Sequence, residues 1–280
     1  MRYTKPVSER TVSRDGVQLS VSDDGEGPAV VLLHGLTATR RYVVMGSRSL
    51  ERSGHRVIAY DARGHGRSAP AGDPGSYEYA DLGADLVAVL DACGVRRAVF
   101  AGASMGAHTL LWMALHHPER VAGMVVITPA YIDRAQADDP ERLAYWDALS
   151  HGLRAGGIDG FLAAQGEPQV PERWRETVVK VIRQRLSAHK HLDAVADALH
   201  VVPASHPFDS VGDLAEISVP ATVVASDDDA DPEHPRAIGE AYAETIPGAR
   251  LVTDEPGRSP VAWQGSQLSQ LISEVVARAG

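Results

Sequence analysis

One pentapeptide contains a serine that could act as a nucleophile. Gly102-Ala103-Ser104-Met105-Gly106 follows a run of apolar residues and precedes a stretch with helical spacing. Glycines at both ends permit a tight turn from a strand into a helix, which lifts the serine hydroxyl away from the sheet edge. The backbone N–H groups that follow point at the same place. The pattern therefore predicts Ser104 as a catalytic nucleophile.

Two loops that contain histidine follow earlier apolar runs. In LLHGL, a His-Gly pair lets the backbone approach a bound oxygen, so the N–H of Leu36 and the N–H of Met105 can form an oxyanion hole. We expect His34 to brace this loop at the edge of the substrate pocket. The second loop, DARGHGRS, is interpreted as structural, with His65 and Arg67 organising the neighbouring turns.

An acidic segment follows a later apolar run. The sequence VVASDDDADPEHP puts carboxylates directly after a predicted strand that ends at Ala225. An aspartate at the end of a strand, opposite the serine, can orient a catalytic base. A solvated acidic loop is the alternative interpretation.

The elements that must position these residues alternate between strands and helices. Buried strands are predicted at 29–33, 57–60, 97–101, 123–129, 219–226 and 249–253, after a half-buried strand at 17–21. Helical spacing lies between most of them, which predicts an α/β fold with a mostly parallel sheet flanked by helices. Strand signals stop between the fourth and fifth buried strands. We predict a core at 1–130 and 212–280 with an inserted helical cap at 131–211, whose Tyr131 and Trp146 line the pocket.

These pieces, in this order, resemble the α/β-hydrolase superfamily with a helical cap, and its esterase, prolyl-aminopeptidase-like and lactonase-like members in particular. The resemblance implies Ser104 as nucleophile, and Leu36 and Met105 as oxyanion donors. It also implies an aspartate after Ala225. Counting from the strand favours Asp229, counting back from the proline favours Asp228, and matching the following helix allows Asp231. We favour Asp229, with Asp228 second.

The turn that should supply the catalytic histidine departs from the family pattern. A Gly-His-Ser-Pro-like turn is expected after the last strand, and here it reads GRSP, with Arg258 at the position of the base. An arginine cannot act as a general base near neutral pH, because its pKa lies above about 12. Its guanidinium can clamp the aspartate or face the cavity and bind an anionic group. Of the twelve histidines, His206 and His234 are the leading candidates for a substitute base.

The sequence supports three functional hypotheses. The first is a serine hydrolase or acyltransferase acting on a small apolar ester, thioester or lactone through Ser104, with an atypical triad. The second is a non-hydrolytic cyclase, lyase or isomerase of secondary metabolism that uses Arg258 and the oxyanion hole. The third is a ligand-binding homologue without catalysis.

Composition limits the partners. A net charge of −10 argues against nucleic acid and anionic membranes, and no apolar run approaches the ~20 residues of a membrane span. The single cysteine, Cys93, fits a reducing cytoplasm. We expect a cytoplasmic enzyme with a small-molecule substrate and with neither metal nor cofactor, because no metal-ligand spacing or dinucleotide fingerprint is present. The sequence does not indicate an oligomeric state.

Overall fold

One mostly parallel sheet forms the centre of the molecule in the computed structural model, which describes residues 8–226, 231, 233–254 and 264–280. Within these residues the sheet has eight strands in the order β1-β2-β4-β3-β5-β6-β7-β8. The first three strands of that order pair antiparallel and the remaining pairs are parallel. The strands, β1 to β8, are Glu9–Arg14, Val17–Asp24, Ala29–Leu33, Arg56–Tyr60, Ala98–Ala103, Val121–Ile127, Ala221–Ala225 and Arg250–Thr253.

Helices cover both faces of the sheet. In β5, Phe100 packs into a cluster that also contains residues of α2, α3 and α8, whereas Val99 and Ala101 pack into a second cluster with residues of α1 and α9. Successive side chains of a strand point to opposite faces, so a strand covered on both sides must be apolar throughout. The α-helices, α1 to α9, are Ser49–Arg52, Tyr79–Ala92, Met105–His116, Arg134–Ala137, Pro140–Gln165, Glu172–Leu186, Leu192–Val201, Arg236–Thr245 and Gly265–Ala279.

The carboxyl ends of the central strands meet at one edge of the sheet. Leu33 of β3 pairs with Gly102 of β5, and Ala103 of β5 pairs with Ile127 of β6. The loops that leave β3 and β5 therefore begin side by side, which brings the His-Gly loop next to the serine turn.

Helices α4 to α7 all lie between β6 and β7, inside the segment 131–211 that we propose as a cap. The buried apolar residues of α5 to α7 belong to one cluster, which also contains Leu36 and Met105 of the core. The segment thus packs directly on the two residues expected to form the oxyanion hole.

The predicted fold class is confirmed, and two elements differ from the prediction in detail. Strand β1 was not predicted, because it lies at the edge of the sheet and Val12 is its only buried residue. Helix α5 is bent at Gly157, whose φ of 59° and ψ of −144° are not helical. The residues on either side fold back on each other, so that a Cβ on Gly152 would lie 2.5 Å from the carbonyl oxygen of Gly160.

Candidate active site

Ser104 lies in the tight turn between β5 and α3. Its φ of 50° and ψ of −114° belong to a region that L-residues rarely occupy, at a cost of about 1–3 kcal/mol. Hydrogen bonds hold the strained residue on both sides: its N–H donates to Ile127 O at 3.0 Å, and its carbonyl accepts from His108 N at 3.1 Å.

The two glycines of the pentapeptide are required by close backbone contacts. A Cβ on Gly102 would lie 2.2 Å from the carbonyl oxygen of Gly106. A Cβ on Gly106 would lie 2.1 Å from the carbonyl oxygen of Leu33, at the end of β3. Larger residues would push the turn away from the neighbouring loop, so the glycines set the distance between the serine and the loop after β3.

The hydroxyl of Ser104 contacts a histidine that is itself held by a carboxylate. His234 Nε2 lies 2.9 Å from Ser104 Oγ, and His234 Nδ1 lies 2.8 Å from Asp231 Oδ1. An ionised aspartate can only accept a hydrogen bond, so the neutral ring carries its proton on Nδ1 and donates from there to Asp231. Nε2 is then free to accept a hydrogen bond from the serine hydroxyl. This is the arrangement of nucleophile, base and orienting acid.

Both the histidine and the aspartate come from the short segment that joins β7 to α8. Asp231 and His234 are three residues apart, and His234 N donates to Asp231 O at 3.4 Å, just before α8 begins at Arg236. The His234 side chain is 18% exposed and that of Asp231 is 39% exposed. The base is therefore mostly shielded from water while the acid keeps partial contact with it.

The charges around His234 favour its protonated form. Burial opposes the imidazolium, but the charge of Asp231 and its hydrogen bond outweigh burial and raise the pKa of His234 above its usual 6.5. Glu233 raises the pKa further, whereas Arg185 lowers it. Asp231 is also affected by burial, yet the neighbouring His234 and Arg185 hold the pKa of its carboxyl below 3.8. The acid therefore stays ionised through the neutral range.

The other residues proposed for proton transfer lie either outside the described residues or away from Ser104. Asp228, Asp229 and Arg258 lie outside the described residues. His206 does not contact Ser104; its Nε2 lies 2.9 Å from Asp138 Oδ1. Of the three candidate acids, Asp231 was ranked last from the sequence, and it is the one that contacts His234 in the structure. Its position just before a helix was the signal that pointed to it.

The oxyanion donors expected from the sequence lie on either side of Ser104. Leu36 and Met105 are both buried and both line the same cavity as Ser104. Within the described residues, neither backbone N–H donates a hydrogen bond to the protein. Two unpaired N–H groups beside a serine hydroxyl can stabilise the negative oxygen of a tetrahedral intermediate.

The direction of the Leu36 N–H is fixed through the other end of its peptide group. The carbonyl oxygen of Gly35 accepts hydrogen bonds from Ala38 N at 3.0 Å and from His34 Nδ1 at 2.8 Å. In a trans peptide the C=O and the N–H point in opposite directions. Holding the Gly35 carbonyl therefore aims the Leu36 N–H away from it.

His34 holds the Gly35 carbonyl from the core side of the loop. Its Nε2 accepts a hydrogen bond from Ala62 N at 2.9 Å, so Nδ1 carries the proton donated to Gly35 O. Burial, followed by the charge of His65, lowers the pKa of His34 to about 3. The ring is only 2% exposed and does not line the cavity. The expectation that His34 lies in the pocket is corrected: its two hydrogen bonds turn the ring into the core.

Two more buried histidines hold the next two carbonyls of the same loop. His65 Nε2 lies 2.7 Å from Leu36 O and its Nδ1 lies 2.8 Å from Arg63 O; both partners are acceptors, so the neutral ring donates to one of them at a time. His189, between α6 and α7, accepts from Gly66 N through Nδ1 at 2.8 Å and contacts Thr37 O through Nε2 at 3.1 Å. Burial lowers the pKa of both rings, to about 3 for His189.

A cavity of about 420 Å³ opens above Ser104. Tyr131 and Trp146, which the sequence analysis placed in the pocket, line it. The wall also includes apolar side chains of the helical segment, two arginines and two glutamates, namely Tyr145, Leu149, Phe161, Val178, Val181, Ile182, Arg142, Arg185, Glu167 and Glu233. Such a lining suits a small, mostly apolar organic molecule.

The described part of the chain contains no group of three or more side chains suited to hold a metal ion. Among the same residues, no helix has the length and apolar character needed to cross a bilayer.

Comparisons with known proteins agree with the fold described above. A family model described as alpha/beta hydrolase fold matches residues 28–258. The protein named "Putative carbamate hydrolase RutD" from Variovorax paradoxus is 33% identical over 211 residues, which are 75% of this chain and 77% of that protein. The protein named 3-oxoadipate enol-lactonase 2 from Acinetobacter baylyi is 28% identical over 223 residues, 79% of each chain. A solved structure of a thermophilic esterase from Thermogutta terrifontis has a TM-score of 0.79 and 27% identity, and the match covers 97% of this chain and 99% of that one.

The family match spans more than four fifths of the sequence and includes the serine turn, the loop after β3 and the Asp231–His234 segment. This chain therefore belongs to the α/β-hydrolase fold family.

Proposed function

We propose that the protein is a serine hydrolase that cleaves carboxylic esters, lactones or carbamates through an acyl-enzyme on Ser104. The observation that carries the proposal is the chain of contacts from Ser104 Oγ through His234 to Asp231, at 2.9 and 2.8 Å. These residues would form a complete triad without a histidine at position 258.

The first half-reaction uses every group of the site. His234 Nε2 accepts the hydroxyl proton as Ser104 Oγ attacks the carbonyl carbon of the substrate. The N–H groups of Leu36 and Met105 stabilise the oxyanion that forms. When the intermediate collapses, His234 gives its proton to the leaving oxygen or nitrogen and the acyl group remains on Ser104. Asp231 keeps the imidazole in the required tautomer and stabilises the imidazolium.

The second half-reaction releases the acid. A water molecule replaces the leaving group, and His234 removes its proton as the water attacks the acyl-enzyme. Collapse of the second intermediate returns the proton to Ser104 and releases the carboxylic acid. No step needs a metal ion or an organic cofactor.

The substrate class rests on the cavity and on the relatives. A cavity of about 420 Å³ with mostly apolar walls suits a small acyl compound rather than a polymer. The similar proteins named above are a carbamate hydrolase, an enol-lactonase and an esterase, which all act on an acyl carbon bonded to a heteroatom. We assign Arg258 no part in proton transfer, because a guanidinium holds its proton throughout the neutral range.

Covalent labelling tests the proposal directly. A fluorophosphonate forms a bond from Ser104 Oγ to phosphorus and releases fluoride, and intact mass reports the adduct. We expect stoichiometric labelling of the wild type and of His206→Ala, none of Ser104→Ala, and at least about 100-fold slower labelling of His234→Ala.

Two results would contradict the proposal. Labelling of His234→Ala at the wild-type rate would show that another group activates the serine. A wild type that stays unlabelled, while Arg258→His becomes labelled, would show a site without its base and would favour the non-hydrolytic alternative.

A further inference from the structure

A cation without an acidic partner lies in the wall of the cavity. Arg185 belongs to the last turn of α6, and its side chain lines the same cavity as Ser104 and His234. Its Nε is fully buried and has no hydrogen-bond partner among the described residues. Among the same residues its guanidinium makes no ion pair, and its Cζ lies over the Tyr42 ring, 5.6 Å from the ring centroid.

Most other charged side chains of the cavity wall have partners, and Glu233 is exposed to solvent. Arg142 donates to Ala137 O at 2.7 Å and to Pro203 O at 3.0 Å. Asp231 bonds His234, and Glu167 forms an ion pair with Arg175. Arg185 feels the charge of Asp231, but at a distance beyond an ion pair. In the part of the cavity wall that the structure describes, Arg185 is therefore a guanidinium without a hydrogen-bond or ion-pair partner.

A half-buried guanidinium that makes no hydrogen bond is energetically unfavourable unless a ligand supplies the missing acceptors. Removing a charge from water carries a penalty that pairing and hydrogen bonding must offset. Burial correspondingly lowers the pKa of Arg185. The planar fork of an arginine matches a carboxylate, which can accept two parallel hydrogen bonds. The apolar side chains that line the same cavity suit a hydrocarbon spacer.

We propose that Arg185 binds a free carboxylate on the acyl part of the substrate, so that the enzyme prefers half-esters and lactones of dicarboxylic acids. The scissile carbonyl would lie at Ser104 and the carboxylate at Arg185, with methylene groups along the apolar wall. This inference rests on the proposed hydrolytic function of the same site, and it adds the chemical class of the acid.

Paired substrates separate this role from a general effect on the triad. The half-ester mono-4-nitrophenyl adipate carries a carboxylate, and 4-nitrophenyl methyl adipate is its neutral counterpart. In the wild type we expect the larger kcat/KM for the half-ester, because a charge-assisted hydrogen bond improves binding about 10- to 100-fold. Arg185→Met should abolish that preference, with kcat/KM for the half-ester falling at least about tenfold more than kcat/KM for the neutral diester. Arg185→Lys should retain part of the preference, since an ammonium keeps the charge but loses the fork.

The same helix supplies a matched control. Arg183 is half exposed and pairs with Asp159 at the surface. Arg183→Met removes a positive charge of the same helix without touching the cavity, and should leave the substrate preference unchanged. Equal losses on both substrates in Arg185→Met would overturn the proposal and give Arg185 a role in the triad or the fold instead. A wild type without preference for the half-ester would overturn it as well.

A binding measurement tests the carboxylate site without relying on ester hydrolysis. Calorimetry on Ser104→Ala should show monomethyl adipate binding at least about tenfold more tightly than dimethyl adipate, and the difference should vanish in Ser104→Ala/Arg185→Met. Equal binding of the two esters would overturn the carboxylate site even if the enzyme hydrolyses esters. Selective binding without any hydrolysis would support the site and contradict the proposed function.

Discussion

At the scale of single residues, the main feature is that the proposed base and the proposed acid come from one short segment. Asp231 and His234 both precede α8, whereas the family pattern takes the histidine from the turn after the last strand. The sequence predicted Ser104 from its glycines, because their close contacts leave little freedom at that turn. It could not select Asp231 or His234, because four aspartates and one histidine follow Ala225 within ten residues and only folding decides which of them reach the serine.

Replacement of the acid tests its role in holding the tautomer. Asp231→Asn preserves the shape of the side chain but removes the charge and lets the ring take the wrong tautomer. We expect kcat for ester hydrolysis to fall about 10³- to 10⁴-fold. Asp138→Asn, which changes a carboxylate paired with His206 and Arg134, is the control and should keep wild-type activity. A loss of less than about tenfold in Asp231→Asn would show that another carboxylate orients His234.

The pH profile tests the electrostatics of the base. His234 must be neutral to accept the serine proton, and its pKa is raised, so kcat/KM should fall as pH decreases through a value above 6.5. Glu233 contributes to the raised pKa. In Glu233→Gln the acid limb should therefore move to lower pH, by less in high salt because this side chain is exposed. An unchanged or higher inflection in this variant would contradict the assignment.

At the scale of structural elements, the loop after β3 is held by side chains from three different parts of the chain. The successive carbonyls of Gly35, Leu36 and Thr37 contact His34, His65 and His189. The third histidine belongs to the helical segment proposed as the cap, and Lys190 N next to it donates to Gly66 O at 3.0 Å. The segment is therefore connected through hydrogen bonds to the loop that contains an oxyanion donor.

Loss of the connection should affect the rate more than binding. In His189→Ala, Thr37 O and Gly66 N lose their partner, and the Leu36 N–H is held less firmly. We expect kcat to fall about tenfold, less than the 10²- to 10³-fold that follows removal of an oxyanion donor, with KM changed less than threefold. His191→Ala, an exposed neighbour, should change neither constant. A lower Tm with unchanged kcat would give His189 a purely structural role.

Elements with a strong apolar pattern were predictable from the sequence, and elements defined by neighbours were not. Strand β3 matches the prediction at both ends, because a strand covered on both faces must be apolar throughout. Strand β1 escaped prediction because it gains its structure from pairing with β2 rather than from its own burial. The bend in α5 depends on contact between two glycines eight residues apart, which periodicity does not reveal.

At the scale of the whole molecule, the fold contains several histidines that stay neutral inside it. Burial is the first cause that lowers the pKa of His34, His108 and His189 to about 3. In the unfolded chain the same rings take up protons near 6.5. The sequence gives the number of histidines, but only the folded structure shows which of them are buried.

Acid should therefore destabilise the protein before its carboxylates titrate. The folded pKa values lie below the unfolded ones, so stability is complete above about pH 6.5 and is lost as pH falls from there towards 3, by up to about 1.4 kcal/mol per pH unit for each ring. Urea unfolding at pH 7.5, 6.5 and 5.5 measures this slope. His108→Gln should show a smaller slope than the wild type, and an exposed control, His200→Gln, should not. Unfolding free energies that do not change between pH 7.5 and 5.5 would contradict buried neutral histidines.

The most direct test of the proposed triad is chemical rescue of its base. His234→Ala should hydrolyse a 4-nitrophenyl ester at least about 100-fold more slowly than the wild type, and added imidazole should restore part of the rate by occupying the vacated space next to Ser104. His206→Ala should keep full activity and respond to imidazole no more than the wild type does. Full activity of His234→Ala without imidazole would contradict the account, because the serine would then be activated by a group other than the one it contacts.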